Sequence, residues 1–460
     1  MQSYTVWKIA VISFILLPLQ ARAEYKVGLA KVNIMPEELT WLSGYASRTK
    51  PAEGKVHDLY AKAAAFEDEA GTQLVLVTLD LGSVNPLTTE YVAKHVEKRF
   101  GLPRANLILN CSHTHCAPEV SIERRIILDI SDEENAKLTR YIEQLNPKLV
   151  ELVGDAIADM KPAELSVSQS TAKFAFNRRH PSGVDINGPT DRQVPVLRVN
   201  DPNGKLRGVI FGYACHNTTL RFQLYCGDYA GFAQYDLEKL YPDAIAMFVS
   251  GCGGDQNPQP RHGKDGLKHA KNHGRELADS VTTALNGKQQ ALTSPLKVAF
   301  DVATLDLEPL PDISVLREDA KKRHSQVESR KAKYLLSLIN SGREVPLTQS
   351  CPIHVVRFGD EFLMICISGE TLVDYSIRCK REFAGPFVWV AGYCDDVFAY
   401  LPSKRVLYEG GYEGRSSFTH QLMATPFRDN VEERVMECIT RLVEETNREP
   451  TNETSQLTTR

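Results

Sequence analysis

Two histidines separated by one residue, His113 and His115, stand directly after the apolar run from Leu107 to Asn110. An HxH pair in an extended segment puts both imidazoles on one face, because side chains alternate with period two, and presents two nitrogens to one metal ion or substrate. Taken alone, such a pair is more often a satisfied structural pair than a ligand pair. A third imidazole, His216, follows a second apolar run, Val209 to Tyr213, and a carboxylate, Glu370, follows a third, Leu363 to Ile367. Imidazole and carboxylate are the donors that hold a catalytic zinc while one position stays open for water. Nitrogen donors favour zinc over magnesium. Two more apolar runs end in chemistry: Met247 to Val249 leads into Gly251, Gly253, Gly254 and Asp255, and Trp389 to Ala391 leads into Tyr393, Asp395 and Asp396. Ligands gather at the carboxyl ends of strands in open α/β sheets, so five such ends argue for one shared site.

The elements that must position these residues read as an α/β chain, short apolar runs alternating with segments of helical period. Strands are expected over Tyr25 to Asn33, Gln73 to Leu79, Leu107 to Asn110, Gly208 to Tyr213, Ala244 to Val249, Glu361 to Ile367 and Phe387 to Val390. Helices are expected over Thr88 to Arg99, Asn135 to Met160, Leu267 to Leu285 and Asn430 to Glu445. A charged stretch, Asp312 to Ile339, reads as one helix with a solvated face. There is no internal repeat.

The chain has 460 residues, 42% hydrophobic and 24% charged, with a formal net charge of −4. Its 54 basic and 58 acidic residues are interspersed, which excludes the footprint of a nucleic-acid or anionic-membrane partner. Residues 1–23 read as a secretory signal: Lys8 precedes an apolar run, and Ala21-Arg22-Ala23 offers small residues at a cleavage site. The run is too short to span a bilayer, and no later segment is apolar enough to do so. The expected location is therefore secreted or periplasmic. Residues 24–446 read as one large domain and 447–460 as a polar, disordered tail. All ten cysteines follow the signal, and an even count in an exported chain leads to an expectation of some disulfides. Glycosylation sequons at Asn110 and Asn217 overlap the proposed site and read as chance matches.

Ser112-His113-Thr114-His115-Cys116-Ala117-Pro118 resembles the SHTHSGP segment of neutral, non-lysosomal ceramidases, and Ala214-Cys215-His216-Asn217-Thr218 resembles their AVHGTS motif. Further matches follow in the same order: Asn177-Arg178 (NRS), Gly254 to Pro258 (GDVSPN), Gly369-Glu370-Thr371 (PGE) and Ala399-Tyr400-Leu401 (HYI). Tyr412-Glu413 then follows Tyr400 by twelve residues, as a second tyrosine does in the family, and the segments His57 to Ala63 and Leu79 to Leu81 are similar in framework. The resemblance runs from about Val27 to Leu442. It implies mixed β-sheets flanked by helices, a zinc ion held by His113, His216, Glu370 and Tyr400, and His115, Arg178 and Tyr412 around the substrate as catalytic groups. Asp255 and Asn257 of the GDVSPN-like motif complete the catalytic set. The implied reaction is hydrolysis of an amide or ester.

Two departures qualify that implication. Asn257 stands where the family motif has serine, and an amide cannot form an acyl-enzyme. The attack is therefore assigned to metal-bound water. Second, only a short polar stretch follows Leu442, where ceramidases continue into an immunoglobulin-like domain. The polar residues Gln256, Asn257, Gln259 and Arg261 near the metal lead to an expectation of a small-molecule or glycoconjugate substrate more polar than ceramide. The alternatives are a noncatalytic protein that binds a sugar or lipid headgroup on the same scaffold, and a glycoside hydrolase, either metal-assisted or using Asp255, Glu370, Asp395 and Asp396 as its carboxylate set.

Overall fold

The computed structural model describes residues 24–179, 188–323 and 326–448, so the proposed signal and most of the proposed tail lie outside the described residues. Two sheets pack face to face and each carries helices on its outer face. The large sheet runs, in spatial order, Leu107–Cys111, Gln73–Leu79, Tyr60–Asp68, Tyr25–Asn33, Lys161–Thr171, Gln193–Asn200, Leu206–Tyr213 and Ile245–Ser250, with the short Gln290–Ala291 pairing on Lys161–Thr171. The small sheet runs Leu296–Asp306, Thr348–Phe358, Phe362–Ile367 and Phe387–Ala391. Ile108, Ile210, Met247 and Val249 of the first meet Val356, Phe362, Met364 and Trp389 of the second in one buried cluster. The opposite face of the large sheet is covered by Pro86–Phe100 and Asp132–Ala158 at one end and by Asp228–Leu240 and Gly266–Asn286 at the other. Val373–Glu382 and Val431–Asn447 cover the small sheet.

Within the two large sheets three strand pairs are parallel: Gln73–Leu79 with Leu107–Cys111, Leu206–Tyr213 with Ile245–Ser250, and Phe362–Ile367 with Phe387–Ala391. Parallel neighbours need a crossover, and each pair has a helix between its strands: Pro86–Phe100, Asp228–Leu240 and Val373–Glu382. All the chemistry-bearing strand ends read from sequence belong to these three units. The large sheet coils until its two edges meet. Where they meet, the fully buried Asn110 side chain does the work of a ladder: its Nδ2 donates to Gly392 O (2.7 Å), and its Oδ1 accepts from Ser250 N (2.9 Å). Bridges between Asn110 and Cys394 and between Gly251 and Ala391 complete the junction. Asn110 and Asn217 are both fully buried, which agrees with reading their sequons as chance.

Beneath the junction, Asp395 adopts φ +59 and is tied down on every side. Its carboxylate accepts from Leu109 N (3.0 Å), Arg104 Nη2 (2.7 Å) and His354 Nε2 (2.6 Å). Burial alone would raise its pKa, but His354 and Arg104 outweigh burial and hold it well below the ordinary carboxylate range.

Several expectations need correction. His113 is not in an extended segment: it follows the strand in the left-handed region (φ +58), so strand alternation is not what brings the imidazoles together. All ten cysteines are free and buried, and pack as small apolar groups instead of forming bridges. The stretch from Asp312 to Ile339 divides into Ile313–Asp319 and Gln326–Asn340, and the second helix buries Lys331, Leu335 and Leu338 instead of standing solvated. Asn447 ends a helix and is not part of the polar tail.

Replacing Asn110 by Ala strands Ser250 N in the interior and leaves Gly392 O only the weak Cys394 thiol donor, and the expected loss is about 1–3 kcal/mol, read as a lower urea midpoint. Asp395 contributes stability that is fully present above its unfolded pKa near 4 and is lost as pH falls below that value toward its depressed folded pKa. Denaturation between pH 2 and 6 should therefore show an acid-side loss that Asp395→Asn flattens.

Candidate metal and substrate site

The carboxyl ends of the parallel units deliver their side chains to one point. His113 and His216 each turn Nδ1 toward a backbone carbonyl, Gly82 O and Gly253 O, both at 2.6 Å. A carbonyl can only accept, so Nδ1 carries the proton and Nε2 of each neutral ring is a bare lone pair. Both Nε2 atoms face the same carboxylate oxygen: Glu370 Oε2 lies 3.3 Å from His113 Nε2 and 3.2 Å from His216 Nε2. That oxygen is buried and accepts no hydrogen bond among the described residues. Tyr400 Oη stands 3.2 Å from His216 Nε2.

Four donors with lone pairs directed at a common centre repel one another unless a cation lies between them. Bonds of about 2.0–2.2 Å in a tetrahedron place ligand atoms about 3.3–3.6 Å apart. The observed separations match the short end of that range, and His113, His216 and Glu370 form a group of buried donors able to hold a metal ion. Burial lowers the pKa of His216 to about 4, with Arg178 adding to the effect, so this imidazole is free of its second proton at neutral pH. Tyr400 is pushed well above its ordinary value by burial, with Arg178 pulling the other way.

Local pairing explains the precision of the carboxylate and the phenol. Glu370–Thr371 and Tyr400–Leu401 form a two-residue parallel ladder in which Glu370 is the direct partner of Tyr400. Gly254 packs on the same ladder so closely that a Cβ would meet Glu370 O at 2.5 Å. Tyr393, at φ +56, lies below His113 with ring centroids 4.7 Å apart.

The other expected residues divide. His115 Nε2 lies 3.3 Å from His113 Nε2, and its buried Nδ1 has no partner among the described residues. Burial, then His113 and His216, push the His115 pKa well below its ordinary value, leaving the ring neutral. Arg178 sits over the rings of Tyr400 (5.3 Å) and Tyr412 (5.7 Å). Its Nε donates to Glu413 Oε1 (2.6 Å), Nη2 to Gly254 O (3.0 Å) and Nη1 to Asn257 Oδ1 (3.3 Å). Burial works against its charge, but Tyr400 and Glu413 outweigh burial and keep the guanidinium protonated. Tyr412 lines the same cavity, and burial raises its phenol, so it remains an O–H donor.

Asp255 is not brought to the cavity. Its carboxylate accepts from Asn177 Nδ2, Gln256 Nε2 and Val373 N, and its carbonyl accepts from Arg178 N (2.8 Å). It holds the loop that carries Arg178. Gln256 likewise turns inward to Asp255 and Pro189, so the polar loop presents Asn257 and Arg261 to the groove, not Gln256. Asp395 is committed to Arg104 and His354, and Asp396 borders a separate cavity with Val84, Phe398 and Leu338, so the four carboxylates do not face one cleft.

The cavity in front of the donors has a volume of about 200 Å³ and is bordered by His115, His216, Tyr400 and Tyr412 together with Tyr45, Arg124 and His420. Sequence reading missed these last three. Arg124 lies in Ile122–Leu128, where adjacent arginines look like a solvated helix face, yet its Nε bonds the buried Glu119 Oε2 (3.1 Å). Tyr45 stands in an irregular segment and His420 ends the short 3-10 helix Ser417–His420, with no pattern to mark either.

A sequence family described as neutral/alkaline non-lysosomal ceramidase, N-terminal, matches residues 25–271. Among curated relatives, a neutral ceramidase of Mycobacterium tuberculosis is 28% identical over 240 residues, 47% of this chain and 37% of the relative. One of Drosophila melanogaster is 26% identical over 259 residues, 51% of this chain and 36% of the relative. The matched part thus spans little more than a third of either relative. The crystal structure of neutral ceramidase from Pseudomonas aeruginosa superposes with a TM-score of 0.72 at 19% identity, covering 93% of this chain and 76% of the other, a likeness of fold. Glu370, Tyr400 and Tyr412 lie outside the matched residues 25–271.

Gly44 has φ +86, and a Cβ there would fall 2.2 Å from the His115 ring. Gly44→Ala should displace that imidazole. The expected outcome is a shifted His115 ring resonance and a stability loss of about 1 kcal/mol or more, measured by NMR and thermal denaturation.

Proposed function

This chain belongs to the neutral/alkaline non-lysosomal ceramidase family, and from that membership we propose that it is an exported, zinc-dependent hydrolase of an amide or ester bond in a substrate more polar than ceramide. The observation that carries the reading is the buried cluster of His113 Nε2, His216 Nε2 and Glu370 Oε2, with Tyr400 beside it. Zinc suits this donor set because imidazole nitrogen is a borderline donor and Glu370 Oε2 and Tyr400 Oη stand 3.2–3.3 Å from the imidazole nitrogens, close enough for one ion to bridge them. When bound, zinc supplies Lewis acidity toward a carbonyl and brings the pKa of a coordinated water down to about 7.

The residues of the chain supply the rest. Tyr412 and His115 offer neutral donors at the open side of the cluster, where a carbonyl oxygen gains negative charge during attack. The neutral His115 ring borders the cavity and can orient an attacking water or the leaving group by hydrogen bonding. Arg178 fixes both tyrosines through its planar face while its charge favours an oxyanion. Asn257 acts through Arg178: its amide oxygen holds Nη1 at 3.3 Å, and no nucleophile is needed at this position. Export agrees with the segment before residue 24, and no helix among the described residues is long and apolar enough to cross a membrane.

Chelation should remove hydrolysis of a soluble amide or ester, and added zinc should restore it. His113→Ala should lower kcat/KM by about 10³-fold or more, and Asn257→Ala by only about tenfold, through Arg178. Full activity after complete removal of metal, verified by elemental analysis, would contradict the metal-dependent reading. Loss in Asn257→Ala equal to that in His113→Ala would return position 257 to the chemistry.

A further inference from the structure

Arginines crowd the approach to the metal cluster, and most are neutralised. Arg124 pairs with Glu119, Arg178 with Glu413, and Arg179 with Glu413 and Glu409. Arg261 is different. It borders both the cavity containing His115, His216 and Tyr400 and an adjoining groove of about 610 Å³ containing Arg178, Asn257 and Tyr412. No carboxylate pairs with it among the described residues. Among the described residues the groove holds three guanidiniums, Arg178, Arg179 and Arg261, against two carboxylates, Glu409 and Glu413. At the mouth, Arg48 and Arg221 lie over the Tyr45 ring at 5.4 and 5.2 Å, and neither has a carboxylate partner among the described residues. Arg48 is spent on carbonyl and amide oxygens, and Arg221 on Ser47 Oγ.

A partly buried guanidinium without a counter-charge loses solvation and gains nothing unless a ligand supplies the missing anion. Its five donors in a planar fork suit a carboxylate, sulfate or phosphate. A neutral ceramide-like amide would leave that charge unanswered. We propose that the substrate carries an anionic oxyacid group, held by Arg261 at the junction of the cavity and the groove while the scissile carbonyl lies at the metal cluster. This rests on the hydrolase reading above and narrows its substrate class. Arg261 is then a specificity-determining residue: it selects which amide or ester enters, and does not take part in bond cleavage.

The test uses three soluble N-acyl amides of equal length that end in a carboxylate, a phosphate monoester or a neutral carboxamide. A charge-assisted bond is worth about 1.5–3 kcal/mol, so kcat/KM for at least one anionic substrate should exceed that for the carboxamide by about tenfold or more. The ratio should fall below about threefold in Arg261→Gln and stay above it in Arg261→Lys, with folding of both variants checked by circular dichroism. A wild-type ratio near one, or a ratio that survives Arg261→Gln, overturns the proposal. If none of the three is cleaved, the hydrolase reading fails separately, and calorimetric binding of the same compounds decides. Anion-selective binding lost in Arg261→Gln supports the assignment, and equal binding of all three overturns it.

Discussion

The structure depends on keeping His113 Nε2, His216 Nε2 and Glu370 Oε2 within reach of one point in a nearly dry interior. Without a cation this arrangement is unfavourable, since two imidazole lone pairs and a carboxylate oxygen confront each other at 3.2–3.3 Å. The fold must therefore hold the donors by other bonds. Each imidazole is fixed through Nδ1 by a backbone carbonyl, and Glu370 is fixed by its ladder with Tyr400. Such backing of metal-site histidines sets the tautomer as well as the ring orientation.

The backing comes from the way three parallel units end at one place. Asn110, Ser250 and Gly392 join the strand ends that precede His113, Asp255 and Tyr393, so a disturbance at any one of them reaches the others. Asp395 pins the same junction from below through Arg104 and His354. Around the donors lies a second layer with a different task. Arg178, held by Glu413, Gly254 and Asn257, positions the aromatic rings that face the cavity, while Arg261 at its edge has no carboxylate partner among the described residues.

Much of this was legible in the sequence, because buried parallel strands read as continuous apolar runs and their ends carry the chemistry. The strands Tyr25–Asn33 and Gln73–Leu79 fall where the pattern puts them. Tyr60–Asp68 does not: Ala61, Ala63, Ala64 and Ala65 favour a helix locally, and only burial on both faces, with Lys62 reaching Glu238 (2.8 Å) and Ala246 O (2.6 Å), makes it a strand. The left-handed turn at His113 was invisible, because nothing about histidine at that position announces a positive φ. Asp255 looked like a catalytic carboxylate, and only its three hydrogen-bond partners reveal that it is spent on the loop. Arg124 and Tyr45 reach the cavity through tertiary packing and carry no local signal.

Anomalous diffraction at the zinc absorption edge shows whether these donors share one metal ion. A single strong peak is expected about 2.0–2.2 Å from His113 Nε2, His216 Nε2, Glu370 Oε2 and Tyr400 Oη. A crystal grown with zinc that shows no peak between these atoms, or a peak bound elsewhere while the four donors stay as they are, would contradict it.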